Sequence, residues 1–545
     1  MLNITFFTTN RTKLAHARYL AENLPIKING FRERTYHAAY EEPRLPLREE
    51  LLHESYRSAV IQAKKARILT KQHFFILEDT SVKIDALSAD GTEVPGLDVK
   101  YWMRDATFDA LDEQIKLAGG NRRATVRSDV LLHIPEAFKD RWRTEDDYAI
   151  FTGVQTGHIV EHEVGFETNV VYPWLDNQTF NKWFQPDGAS GPLGSLPINE
   201  AVKYDFRKRS FDELFSFLDT KKLISQSQTQ EILSFPDQRD FILCGYTCAG
   251  KTTASQYLAR SYGYLHIEAS DFMHLSYYLR HGVVEDNRIP IGDFAERALA
   301  EKPEIAAEGI ASYFPSERSA PVVISGFRSL KEVEWLQKRL GARFRVVFID
   351  GSEEVRFSRM SQRNRIGDVN QQSRFRERDA QQKRMGLDDI RNAPNTSTWS
   401  NEATIQEFKS QIQSVVGGAP TPEASIARQL SQLKLVRRVV LEDAILIALL
   451  TKWNDDENRE FFTTSEIAKI ANDILSNSSR KHKDNVSRYF NQNYYVYYEI
   501  KFMPEKGFRT YRLSNTGYGK ALWTLRDLLE KHSAYEVARS AKTKS

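Results

Sequence analysis

One stretch, FILCGYTCAGKTT (residues 241–253), constrains the fold of this chain more than any other. An apolar run ends in Gly245-Tyr246-Thr247-Cys248-Ala249-Gly250-Lys251-Thr252, which fits G-x-x-x-x-G-K-[ST], and the helical stretch TTASQYLARSYG follows. The two glycines let the backbone turn so that successive N–H groups face an anion. The lysine reaches the outer phosphates and the threonine hydroxyl ligates Mg2+. A strand feeding a loop feeding a helix belongs to a parallel sheet covered by helices. Gly245, Gly250, Lys251, Thr252 and Thr253 are therefore expected to hold the phosphates of ATP. A loop that binds ATP without reacting is the alternative. The later runs APVVISG and RFRVVFID have the length of buried strands, with helical stretches between them.

More than two hundred residues precede this loop, and two linkers divide the whole. SQSQTQE (225–231) is polar without periodicity, and VGGAPTPEA (416–424) is rich in glycine and proline. The expected domains are 1–224, 232–416 and 425–545, all within an α/β fold class. Net charge is +3, so any nucleic-acid contact has to be local. The two cysteines, Cys244 and Cys248, exclude a disulfide framework. With no basic leader and no long apolar span, a cytoplasmic protein without membrane segments is expected.

The first segment mixes strands (NITFFTT, HFFILED, SDVLLHI) with helices, which predicts an α/β domain. In TTNRTK, Thr8, Asn10 and Lys13 follow a strand and open a helix, where the dipole favours anions. HFFILEDTSVKIDAL is a buried strand ending in adjacent carboxylates, Glu78 and Asp79, which need a cation or donors to satisfy them.

FFTTNRTKL, EEP at 41–43, LEDTSVKIDAL, PGLDVKYW, FTGVQTGHI, FQPDG and FRKRSFDELFSFL occur in that order. The order resembles the inosine triphosphate pyrophosphatase family over nearly the whole first segment, to about Leu218. The resemblance implies a mixed-sheet domain that cleaves non-canonical purine nucleoside triphosphates such as ITP, dITP or XTP to the monophosphate and pyrophosphate, with Mg2+. It implies Glu42, Glu78 and Asp79 at the metal, Asp79 as the group that orients or deprotonates water, and Asn10 and Lys13 at the triphosphate. Two places depart from the family. Phe180-Asn181 stand where an aromatic–Asp pair is usual. Lys203-Tyr204-Asp205 stand where a Ser-His-Arg triplet reads the 6-oxo purine and the phosphates. Phe180, Asn181, Lys203 and Asp205 are accordingly expected at the base, with Lys203 favouring a 6-oxo group. A domain so altered could instead sense a nucleotide such as dITP and pass the signal to an effector protein, as in antiviral defence; both readings stay open here.

The second segment resembles the nucleoside-monophosphate kinases, most closely the dephospho-coenzyme A kinase-like branch, over about 240–416. YGYLHIEASDFM places Asp271 at the acceptor, and VVISGFRSLKEVEWL supplies Arg328. RMSQRNRIGD and FRERDAQQKRMG resemble the lid, with Arg363, Arg365, Arg376 and Arg378 available for phosphates, a role suited to the planar guanidinium fork. Ser325 stands where the family has Asp, which leaves Mg2+ to Thr252, Asp271 and water.

The third segment opens with a capping-box pattern at Thr463 and Glu466, and then reads as a helix, two strands around PEKG and a further helix. This order resembles a small, mostly helical winged helix. Arg480, Lys481, Lys483, Arg488, Lys506 and Arg509 could meet DNA phosphates, or the module could dock protein; the residues leave both open. A homo-oligomer is expected.

Overall fold

The protein is described from a computed structural model. It covers residues 2–34, 43–45, 47–89, 92–224, 240–282, 289–313, 320–340, 344–363, 372–417, 420, 426–433, 436, 439–453, 460–476, 479–492, 496–503 and 507–542. The first linker lies outside them, as does most of the second. The chain separates into two compact units. One is Met1–Gln228 with Leu279–Gly282, and the other is Thr229–Tyr278 with Val283–Ser545.

The first unit is built on a seven-stranded mixed sheet of β1 (Leu2–Phe6), β2 (Ile26–Gly30), β3 (Phe74–Ile84), β4 (Pro95–Gly96), β5 (Arg123–His133), β6 (Tyr148–Ile159) and β7 (Phe184–Pro186). The order is β2-β1-β3-β5-β6-β7, with β4 on β3; β1, β2 and β3 run parallel and the remaining pairings are antiparallel. The apolar run of β3 is explained by helices on both faces. Successive strand side chains point to opposite faces. Phe74 and Ile76 join the core under the helix Phe206–Thr220, with Phe211 and Leu214. Phe75 and Leu77 join the core under the helix Arg48–Lys65, with Tyr56 and Ala59. The same alternation sends Glu78 and Asp79 to opposite faces.

In the second unit β8 (Asp240–Cys244), β9 (Leu265–Glu268), β10 (Val322–Ser325), β11 (Phe344–Asp350) and β12 (Thr396–Ser400) form a parallel sheet in the order β12-β11-β8-β10-β9. Every residue of β8, β9 and β10 is buried, as a parallel sheet sandwiched by helices requires. The helix Lys251–Tyr262 leaves the loop after β8.

The C-terminal residues belong to this same unit. The apolar helix Leu441–Leu450 is buried from Ala444 to Leu450. Thr463 and Glu466 form a reciprocal capping box on the helix Thr464–Ile474. Then come the helix Lys483–Gln492, a hairpin of β13 (Tyr498–Met503) and β14 (Phe508–Leu513), and the helix Asn515–Lys542. Lys506 lies outside the described residues. Among the described residues no helix is long and apolar enough to cross a membrane.

Candidate functional site

The end of β3 opens into a cavity of about 180 Å3 in the first unit. Asn10, Lys13, Glu78, Asp79, Phe180, Asn181 and Arg207 all line it. Asn10 caps the helix Arg11–Leu20: its Oδ1 accepts from the backbone N–H groups of Thr12 and Lys13 at 2.9 and 3.2 Å. That cap fixes the start of the helix and aims Lys13 at β3, where Nζ lies 2.9 Å from Glu78 Oε2 and donates to the Glu78 carbonyl at 3.1 Å. Glu78 Oε1 also accepts from Thr80 Oγ1 (2.7 Å), Ser128 Oγ (2.9 Å) and Arg207 Nε (3.2 Å). Burial alone would push this carboxyl up, but Arg207 and Lys13 override it and hold the group well below the usual carboxylate range.

The unfolded chain therefore protonates Glu78 before the folded one does. Stability from this ion cluster is complete above the ordinary glutamate value of ~4.3 and is lost as pH falls below it. Glu78→Gln removes the anion and leaves two buried cations. It is expected to destabilise the fold by about 3 kcal/mol at neutral pH, with a gap from wild type that narrows in acid; urea titrations across pH check this.

The structure distributes the expected base residues unevenly. Phe180 and Asn181 are buried on the cavity wall, and Trp174 and Asp176 stand beside them. Lys203 is exposed and is not on the wall. Asp205 is buried, accepts from the Arg207 N–H at 2.9 Å as the cap of the final helix, and pairs with His16 Nε2 at 2.6 Å. His16 in turn stacks on Trp174, with ring centroids 4.5 Å apart. The stretch that reaches the cavity is thus Phe206-Arg207, two residues beyond the expected register. Sequence reading missed Arg207, although Asp205 is a natural N-cap and a cap throws the first helical turn toward the sheet end. Thr8 is buried nearby and its Oγ1 accepts from the Asn10 N–H at 3.0 Å; it is not on the wall.

Mg2+ is commonly held by one or two carboxylates, with substrate phosphates and water supplying the other oxygens. Asp79, on the cavity, suits that mode. Glu78 is already engaged by two cations, and Glu42 lies outside the described residues. Among the described residues no group of three or more His, Cys, Asp or Glu forms a cage.

In the second unit the loop after β8 has the strained shape its glycines were expected to permit. Gly245 has φ +146°, and an added Cβ would stand 2.4 Å from the Ile349 carbonyl oxygen. Gly250 has φ +107° and begins the helix Lys251–Tyr262. Lys251 Nζ folds back on the loop, donating to the carbonyls of Gly245 (2.6 Å) and Tyr246 (2.8 Å). Burial lowers its pKa to about 8, against the opposing pull of Glu268. Thr252 and Thr253 follow in the first helical turn, the latter exposed.

Ser325, where a carboxylate was expected, donates to Glu268 Oε2 at 2.6 Å and lies 2.7 Å from His266 Nε2. Glu268 sits opposite Ser325 in the ladder, so the neighbouring strand carries the acid at this level of the sheet. Arg328 has its backbone N–H on Glu332 Oε2 at 3.1 Å, and burial lowers its pKa. On the lid side Arg356 makes a two-toothed pair with Asp379 (3.1 and 2.6 Å), and Gln382 donates to Thr247 Oγ1 at 2.6 Å, tying the helix Gln372–Arg384 to the phosphate loop. Arg376 is exposed and pairs with Glu353. Arg365 and the Arg363 side chain lie outside the described residues. Neither cysteine forms a disulfide.

Residues 4–217 match the model of the Ham1 family, and residues 242–383 match that of an AAA domain. A UPF0200 protein of Pyrobaculum aerophilum is 29% identical over 174 residues, covering 32% of this chain and 94% of that protein. One of Methanosarcina mazei is 33% identical over 95 residues, 17% of this chain and 50% of that protein, so the chain spans half the length of that relative. Among solved structures, a HAM1 protein from Coxiella burnetii matches at 20% identity and TM-score 0.30, over 40% of this chain and 100% of that one. A nucleoside-triphosphatase / dITP/XTP pyrophosphatase from Mycobacterium abscessus matches at 20% and 0.27, over 39% and 98%. A gluconokinase from Sinorhizobium meliloti matches at 19% and 0.24, over 32% and 90%. Nothing in these likenesses supports a purely sensing role.

Proposed function

We propose, from the premise that this chain joins a Ham1-like domain to a kinase-like P-loop domain, that it cleaves non-canonical purine nucleoside triphosphates and carries a second, ATP-binding site. The observation that carries the first half is the cavity at the end of β3, where Lys13 and Arg207 both pair with Glu78 and the adjacent Asp79 also lines the wall. Lys13 sits at a helix start, where dipole and charge both favour a triphosphate. When bound at Asp79, Mg2+ would polarise phosphate oxygens and lower the pKa of nearby water. Asp79 orients a water for attack on the α-phosphorus and takes its proton; the bond to the α,β-bridging oxygen breaks, pyrophosphate leaves and the monophosphate remains. Glu78 holds Lys13 and Arg207 in place.

Arg207 presents only donors to whatever it meets. A 6-oxo purine accepts from it and a 6-amino purine does not, which favours ITP, dITP and XTP over ATP. Ion-exchange analysis of a nucleoside triphosphate panel, after incubation with the full chain and Mg2+, tests the activity. Monophosphate and pyrophosphate are expected from ITP and XTP, and an unchanged panel overturns the reading. Lys203→Ala is expected to shift the ITP-to-ATP ratio of kcat/KM by less than about twofold, as an exposed residue away from the cavity should. A larger shift would return Lys203 to the base.

The phosphate loop and its half-buried lysine support ATP at the second site, with transfer to an acceptor as the kinase-like chemistry. For the C-terminal module, we favour a winged-helix-like protein-docking role over DNA contact. The ammonium of Lys481, one of the expected phosphate contacts, donates instead to the Val439 carbonyl, and its backbone N–H donates to Asn472 Oδ1.

A further inference from the structure

Kinase-like chemistry at the phosphate loop needs an acceptor beside the carboxyl ends of β9 and β10, where Asp271 lies. The chain itself makes the contact there. The Thr516 backbone N–H donates to Asp271 Oδ2 at 2.7 Å, and the Glu268 backbone N–H donates to Thr516 Oγ1 at 2.9 Å. Thr516 is fully buried. Three residues on, Gly519 lies so close to β9 that an added Cβ would stand 2.5 Å from the His266 carbonyl oxygen. Tyr518 Oη meets Arg260, and Arg526 donates to the carbonyls of Ala259 (2.8 Å) and Arg260 (2.6 Å). Those carbonyls belong to the last turn of the helix that begins at Lys251. One C-terminal segment therefore grips the acceptor-side carboxylate, the edge strand and the far end of the phosphate-loop helix.

The contact at Asp271 is competitive by its nature. The Thr516 amide takes one lone-pair direction of Asp271 Oδ2, and the buried Thr516 stands where an acceptor hydroxyl would approach that oxygen. Burial, with the Glu268 carboxylate nearby, pushes Asp271 up to about 8, so its carboxyl is largely protonated at neutral pH. The Thr516 amide is a donor that lets Asp271 stay there without a substrate.

We propose that residues 514–519 form an autoinhibitory latch on the P-loop site, holding Asp271 and Glu268 until the C-terminal module lifts away. This rests on the reading of that site as ATP-binding and kinase-like. Water is the smallest acceptor, so the latch restrains futile hydrolysis. In that reaction a water oxygen bonds the γ-phosphorus, the bond to the β,γ-bridging oxygen breaks, ADP leaves and a proton passes to solvent.

The test measures phosphate release from ATP and Mg2+ by the full chain, beside amide hydrogen exchange of peptides from 514–530. Thr516→Val removes the acceptor for the Glu268 N–H, and Gly519→Ala forces the segment off His266. In both, exchange is expected to quicken and phosphate release to rise about tenfold, within the usual range of coupling between sites. Thr516→Ser keeps the hydroxyl and is expected to match wild type. Quicker exchange with unchanged or lower phosphate release overturns the latch and leaves a structural contact. Unchanged exchange in both variants overturns the assignment of Thr516 and Gly519 as what holds it. Calorimetry separates the two levels: wild type that binds no ATP removes the P-loop reading itself, and the latch falls with it.

Discussion

Asp79→Asn is expected to cut pyrophosphate release from ITP or dITP at least about a hundredfold while leaving the fold intact. The substitution keeps shape and removes charge. Asp79 lines the cavity at the end of β3, on the face opposite Glu78. An amide there can neither take the proton of the attacking water nor hold Mg2+ as a carboxylate does. The loss should fall on kcat more than on KM, because Lys13 still meets the phosphates and Arg207 the base. Thermal unfolding should change little, in contrast to Glu78→Gln, whose cost is in stability. Adjacent carboxylates would thus separate cleanly, one variant stable and inactive, the other weakened in its fold. Release at the wild-type rate in Asp79→Asn would remove Asp79 from the chemistry.

Lys251→Ala should weaken ATP binding by about a hundredfold, the loss of charge-assisted contacts worth about 2–3 kcal/mol. The ammonium satisfies two carbonyls of its own loop, so ATP has only to redirect a cation already in place. Burial holds that ammonium at about 8, low for a lysine. The proton is present at pH 7 and lost as pH rises through that value, so wild-type affinity should fall between pH 7 and 9 while the variant's stays flat. Calorimetry on the full chain at both pH values checks this. Turnover of ITP in the first domain should be unaffected, since the substituted site is in a different domain. Equal ATP affinity in wild type and variant would take Lys251 out of the site.

Much of the architecture was legible because the signals were local. The glycines of the phosphate loop require a particular backbone, and the apolar run of β3 requires cover on both faces. The Thr463–Glu466 capping box needs only a four-residue window. The end of the first domain expected to read the base was less legible. Lys203 and Arg207 sit four residues apart on either side of a helix break at Asp205, and only the cap at Asp205 decides which faces the cavity. The carboxylate expected at Ser325 could not be traced by reading along the chain, since Glu268 reaches that level from the adjacent strand. The bond from Thr516 to Asp271 spans 245 positions and has no local signature at all.

The helix Lys251–Tyr262 has its first residue in the phosphate loop and its last carbonyls on Arg526. A gene fusion or deletion that kept the phosphate-loop domain but dropped everything after the second linker would uncap that helix and bare one edge of its sheet. The linker therefore marks a seam in the sequence, not a place where inheritance can cut. Residues 232–416 and 425–545 should travel together through recombination, as one heritable piece.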